Sequence, residues 1–403
     1  MKKAILLIFV FVLTFLSCDK THEVVFQCSD NQDVCDLAQS NNDFAFDIFK
    51  SLHKKHLEGN LFISPFSIST ALSMTLNGAN GDTYDEMIKT LKYNGWNLDE
   101  LNKAYKAYLD IVPFLDDEVK MSIANSIWYR NGFEVLQEFI DVNKNNYNSE
   151  VYGRDFSKSK TKDEINAWVE DKTEGKIKDI LDNIDGGAVM YLINAIYFKG
   201  EWMYKFDKEK TYKTKFIKET GTNVEVDMMV SDEMYVPYYK NDIFEMIDLP
   251  YGDSIFSMSI LLPLHNKKVN DIIASTDKSS WDKYTSNLTP IKMPIQIPKF
   301  KIKFKDLLKN TLVDLGMPKA FSSSQADFTK IRKSGGVYID EVVHQSFVEV
   351  DEKGTEAAAA TAVIIKVTST GETFIANRPF VFVIRDNITN SILFIGKMMM
   401  PEE

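Results

Sequence analysis

A catalytic centre needs a nucleophile with a base beside it, or ligands at a fixed spacing that hold a metal or cofactor, and the 403-residue sequence offers little of either. No GxSxG turn is present to raise a serine. The cysteines are Cys18, Cys28 and Cys35, all near the N-terminus, so the body of the chain has no thiol nucleophile. SxxK occurs at Ser51 to Lys54 and Ser157 to Lys160, a chance pattern in a chain rich in both residues. HExxH, CxxC, GxGxxG and GxxxxGK[ST] are all missing, which removes support for zinc hydrolysis, dithiol exchange, dinucleotide binding and P-loop chemistry. Of His22, His53, His56, His265 and His344, only His53 and His56 stand near ligand spacing. They sit on a Lys-rich helix end that reads as solvated. The expectation is a protein that is not an enzyme and carries no metal and no cofactor.

One stretch has chemistry of another kind. Residues 352–371 read EKGTEAAAATAVIIKVTSTG, without an aromatic or a proline. Taken as a strand, Thr355, Ala357, Ala359, Thr361, Val363, Ile365 and Val367 share one uncharged face, and Glu356 and Lys366 fall on the other. Small residues near Gly354 and β-branched ones further on describe a chain able to thread into a sheet and settle there. On composition alone a flexible Ala-rich loop or a short helix ranks first, because four alanines favour helix.

The elements that must position this stretch are legible in outline. From Asp43, the apolar residues Phe44, Ile48, Phe49 and Leu52 recur at helical spacing. Residues 60–76, NLFISPFSISTALSMTL, give a short strand broken at Ser64-Pro65, then a helix that Ser67 can cap. Alternating patterns predict strands at 191–198, 256–260, 347–350, 380–384 and 392–396. Helices dominate early and strands late, which predicts an α+β domain with large, mostly antiparallel sheets.

Of the residues, 44% are hydrophobic, enough for a sizeable core, and no linker or repeat after about residue 40 divides the chain. A net charge of −11 with scattered basic residues argues against nucleic acid. Lys2 and Lys3 precede an apolar run, Ala4 to Leu16, with the make-up of a secretory signal peptide. The run ends in Phe15-Leu16-Ser17-Cys18, which resembles a bacterial lipobox, though Phe15 and Leu16 match loosely. The expected organisation is a signal peptide over 1–17, a tether over 18–40 lipidated at Cys18, and one domain over 41–403. That places the protein at the cell envelope or surface, with the membrane met through the anchor alone. Cys28 and Cys35 are left as a pair that an oxidising envelope can join.

The hinge-like run VDEKGTEAAAAT resembles, almost letter for letter, the reactive-centre-loop hinge of the serpins, and the likeness extends from Asp43 to Pro401. Asn60-Leu-Phe-Ile-Ser64-Pro65-Phe-Ser67 is similar to the family's early signature. Asn194-Ala-Ile-Tyr-Phe-Lys-Gly-Glu-Trp202 resembles the strand that ends at its tryptophan. Asn377-Arg-Pro379-Phe380 with Leu393 to Lys397, and Leu249-Pro250-Tyr251 through Leu262-Pro263, resemble its C-terminal and central hairpins. The resemblance implies a serpin fold, three β-sheets with about eight or nine helices and an exposed reactive-centre loop. It also implies a monomeric suicide inhibitor of serine endopeptidases, extending to papain-like cysteine ones, in which the cleaved loop enters the main sheet.

Carried over by residue, Glu352, Gly354, Thr355, Glu356, Ala357, Ala358, Ala359 and Ala360 form the hinge. Ser64, Ser67, Asn194 and His344 form the cluster where the sheet opens, and Trp202 lies where the loop first enters. The family's loop length counted from Glu352 ends at Thr368, so the reactive bond is Thr368-Ser369, with Val367 and Lys366 as alternatives. Thr and Val suit elastase- or subtilisin-like enzymes; Lys366 would attract trypsin-like ones. The runner-up is a non-inhibitory serpin acting as a carrier or surface binder, although the small, uncharged hinge favours inhibition. A surface adhesin or nutrient-binding lipoprotein fits the anchor but has no need of an insertable loop.

Overall fold

A computed structural model describes residues 26–355 and 373–401. The chain opens with α1 (Gln32–Lys55), β1 (Leu61–Ile63), α2 (Pro65–Leu76), α3 (Gly81–Thr90) and α4 (Leu98–Ile111). Next come β2 (Val119–Arg130), α5 (Gln137–Tyr147), β3 (Glu150–Arg154), α6 (Ser159–Lys172) and β4 (Met190–Glu201). The middle holds β5 (Tyr212–Ile217), β6 (Asn223–Lys240), β7 (Phe244–Tyr251), β8 (Phe256–Pro263), α7 (Val269–Ser275) and α8 (Lys278–Ser286). The last part runs β9 (Thr289–Pro298), β10 (Phe300–Leu307), α9 (Lys309–Leu315), β11 (Val343–Val350), β12 (Gly354–Thr355), β13 (Phe374–Ile375), β14 (Phe380–Asp386) and β15 (Ile392–Met398).

Two hydrogen-bonded networks result. One has six strands in the order β10-β11-β12-β4-β2-β3; the other has nine, β1-β15-β14-β8-β7-β6-β9-β13 with β5 on β6. Three sheets were expected. The larger network contains two of them, because β6 and β9 run through both, and the β6–β9 register shifts between Ser231 and Met234 where the halves meet. β8, β14 and β15 are buried along their whole length, both faces being covered.

The main core lies between the two sheets and includes Phe198 and Val348 from the six-stranded sheet and Met258, Phe382 and Phe394 from the other. A smaller core packs α6 on the outer face, with Ile165, Trp168 and Val169 against Trp128, Ile193 and Ala195. Alternation along β4 therefore sends even-numbered residues such as Ile196 and Phe198 to the main core and odd-numbered ones to α6.

Three local readings are corrected. The tether was expected to reach residue 40, but α1 starts at Gln32 and buries Val34, Cys35, Leu37 and Ala38. Those four have helical spacing, hidden in a sequence whose Asp33, Asp36, Gln39 and Ser40 occupy the outer face. A disulfide joins Cys35 in that helix to Cys28. Second, α2 is capped by Ser64, whose Oγ accepts the Ser67 N–H at 3.1 Å, with Pro65 in the first turn. Third, His53 is buried against Asn270 (3.2 Å) and His56 pairs with Asp306 (3.0 Å), so neither is simply solvated. α7 and β10 cover that helix end, a long-range contact that local composition does not reveal.

Candidate functional site

β12 is two residues long and lies between β11 and β4, antiparallel to both. Thr355 stands opposite Val350 on one side and Gly200 on the other. Among the described residues no ladder joins β4 to β11 beyond this point, and β12 is the one described strand that bridges the slot between them.

The seat of β12 is built from several elements. Asp351 Oδ1 accepts the Lys353 N–H (2.9 Å), and Asp351 and Gly354 exchange backbone bonds, which closes the turn out of β11. Trp202 donates its indole N–H to the Asp351 carbonyl (2.9 Å) and its backbone N–H to that of Lys353 (2.7 Å). Its ring stacks on Tyr251, centroids 4.4 Å apart, and the Tyr251 hydroxyl shares a 2.6 Å hydrogen bond with Thr355 Oγ1. Thr355 is 4% exposed, so its side chain already lies within the sheet.

Glu352 is buried beside it, accepting from Thr211 Oγ1 at 2.8 Å and paired with Lys299 at 3.0 Å. Burial alone would raise its carboxyl, but its backbone N–H, Lys299 and Thr211 outweigh that and hold it low. Asp351 goes the other way, pushed up chiefly by burial.

About six residues, or ~20 Å, down the slot lies the polar cluster. His344 Nε2 accepts the Ser64 N–H (3.2 Å), Ser64 Oγ donates to the Leu393 carbonyl (2.7 Å), and Ser67 donates to Asn194 Oδ1. Asn194 passes its own N–H on to Asn125 Oδ1 at 2.6 Å. Burial brings His344 down to about 4, so it is neutral near pH 7, with its proton on Nδ1. Beneath the cluster, a cavity of about 600 Å³ is walled by α2, the start of β4, and the segment leading into β11.

The structure thus brings Glu352, Gly354, Thr355 and Trp202 together at one end of the slot and Ser64, Ser67, Asn194 and His344 at the other. Glu356, Ala357, Ala358, Ala359, Ala360, Lys366, Val367, Thr368, Ser369 and Cys18 lie outside the described residues. Sequence reasoning placed Tyr251 only in a hairpin and did not single out Lys299, Thr211 or Asn125. Each meets the site through distant pairing, so no local signal marked it. Among the described residues no group of three His, Cys, Asp or Glu side chains could hold a metal ion.

A family model described as Serpin (serine protease inhibitor) matches residues 39–401. Leukocyte elastase inhibitor of Xenopus laevis is 35% identical over 376 residues, covering 91% of this chain and 99% of that protein. Serpin B11 of Homo sapiens is 32% identical over 390 residues, with coverage of 91% and 99%. Among solved structures, the thermophilic serpin tengpin in its native state has a TM-score of 0.81 and 33% identity, covering 91% of this chain and 94% of its own. Thyroxine-binding globulin in complex with thyroxine has a TM-score of 0.84 at 28% identity, covering 91% and 100%. With the slotted sheet, the hinge seated at its end and a family match over nearly the whole domain, the chain belongs to the serpin family.

Proposed function

We propose that this serpin is inhibitory: a suicide inhibitor of serine endopeptidases, and of papain-like cysteine ones, held at the cell envelope by lipid on Cys18. The observation that carries the reading is the position of Thr355, already paired with both walls of a slot that no other described strand bridges. Continuing that antiparallel register sets Ala357 between Val348 and Phe198, Ala359 between Ser346 and Ile196, and Thr361 between His344 and Asn194. Val363 then falls between Val342 and Leu192, which line the cavity. On insertion, small side chains would meet the packed part of the core, a hydroxyl would meet the polar cluster, and branched side chains would meet the cavity.

In the proposed reaction the protease's nucleophile attacks the Thr368 carbonyl, and the amine of Ser369 leaves. The freed strand gains ladder bonds on both edges as it inserts, drags the acyl-enzyme along the sheet and so prevents deacylation. The protein contributes stored free energy rather than a catalytic group.

The likeness to thyroxine-binding globulin keeps a non-inhibitory reading open, and Thr355→Arg separates the two. An arginine in that buried seat costs several kcal/mol unless paired, so insertion slows while the bait bond is untouched. The parent should form an SDS-stable covalent complex, and mass spectrometry should find a released fragment beginning at Ser369. The variant should be cut and release active protease. If the parent forms no such complex with any serine protease that cuts it, the carrier reading takes over. The anchor is checked separately: the parent should partition with membranes and Cys18→Ala should not.

A further inference from the structure

The cavity under the slot has features that the inserted strand does not require. Its 600 Å³ is within the ordinary range of small-molecule sites. Ile68, Leu72, Ile180, Ile193, Phe328 and Val337 give it buried, apolar walls. The mouth is different: Asp182, Asp185 and Asp340, all exposed, and half-buried Glu341 line it, against two cations, Lys305, already paired with Asp182 at 2.9 Å, and Lys309, 4.0 Å from the Asp340 carboxylate. Asp185 forms no ion pair with a cation among the described residues. Leu307 and Tyr338, 53% and 40% exposed, stand beside these carboxylates.

We infer that this cavity is a binding site for a small amphipathic cation, its apolar body between α2 and β4 and its charged end among Asp182, Asp185 and Asp340. An anion of the same shape would meet like charge at the mouth, and His344, neutral in its buried position, offers it no counter-charge. The Tyr338 ring adds a face that attracts cations. Leu192 and Val342 line both this cavity and the extrapolated path of Val363, so ligand and inserted strand exclude one another. That exclusion rests on the inhibitory reading above; the binding does not.

The test is calorimetric titration of the intact chain with 4-phenylbutylammonium and with 4-phenylbutyrate, without protease. The cation should bind, and the anion should bind at least about tenfold more weakly; exposed carboxylates make individually modest contributions, so the double variant Asp185→Asn, Asp340→Asn should weaken the cation about fivefold. Ala71→Phe, on the α2 wall, should abolish binding by filling the space; should it fail to fold, the charge variant still decides. Equal binding of cation and anion, binding unchanged in the charge variant, or no binding of either overturns the site. The loop-cleaved protein should no longer bind. Equal binding before and after cleavage overturns the exclusion and counts against loop insertion, whereas a cation that binds a protein forming no covalent complex sinks the inhibitory reading alone.

Discussion

Gly354 has backbone where a side chain would be. An added Cβ would lie 2.0 Å from the Gly200 carbonyl oxygen and 2.7 Å from Glu201 Cα, so only withdrawal of β12 from β4 could relieve the clash. Gly354→Ala should therefore expel the hinge, lowering stability by on the order of 2–4 kcal/mol. Amide exchange should rise at Gly354 and Thr355 and stay unchanged in β8 and β14; unchanged exchange at the hinge contradicts the account. His344 makes a second prediction. Held neutral to about 4 against an ordinary 6.5, it contributes in full above pH 6.5. On acidification the unfolded chain takes up the proton first, so this contribution is lost progressively between 6.5 and 4, by roughly 3 kcal/mol at the lower limit. The denaturation midpoint of His344→Asn should fall less steeply over that window than the parent's, and parallel slopes would remove the histidine from the argument. Resemblance picked out His344 from the sequence, but its protonation state follows from burial and from the Ser64 N–H, neither of which is local in the chain.

The start of α2 at Ser64-Pro65 is carried by neighbouring residues and was legible, although the cap is Ser64 and not Ser67. The predicted strands at 191–198, 256–260, 347–350, 380–384 and 392–396 all fall inside observed ones. Harder to see was β6, whose Asn223–Lys240 serves two halves of a sheet and so lacks a single alternating face. The first turns of α1 were hidden by polar residues on their exposed side, and the helix start is tied to Cys28 by the disulfide. Closing so short a loop constrains the unfolded chain modestly, by about 2 kcal/mol. Cys28→Ser with Cys35→Ser should cost no more than that in overall stability while raising amide exchange over Val34 to Ala38. If exchange there does not change, the bond is incidental to the helix. The counterparts of Thr355 and Glu352, namely Tyr251, Lys299 and Thr211, lie 50 or more residues away in sequence, and only the assembled sheets bring them near.

At the level of the whole molecule, no described ladder joins β4 to β11 beyond β12, and each backbone bond that an entering strand makes with those two edges contributes about 1 kcal/mol. A protein whose loop has been cut should thus melt well above the intact one, as differential scanning calorimetry would show; coincident transitions would mean that no strand enters. The order of strands has another consequence. Among the described residues β1 pairs only with β15, Asn42 bonds to the carbonyl of Asn390 and the N–H of Ile392, and Asn60 bonds to Met400. The beginning of the domain is thus completed by its end. At ordinary rates of synthesis roughly half a minute separates the two, and during that interval β1 waits for β15, the strand it pairs with. A chain exported as proposed would therefore cross its membrane before the domain closes, because β1 is paired only after the last strand has followed it.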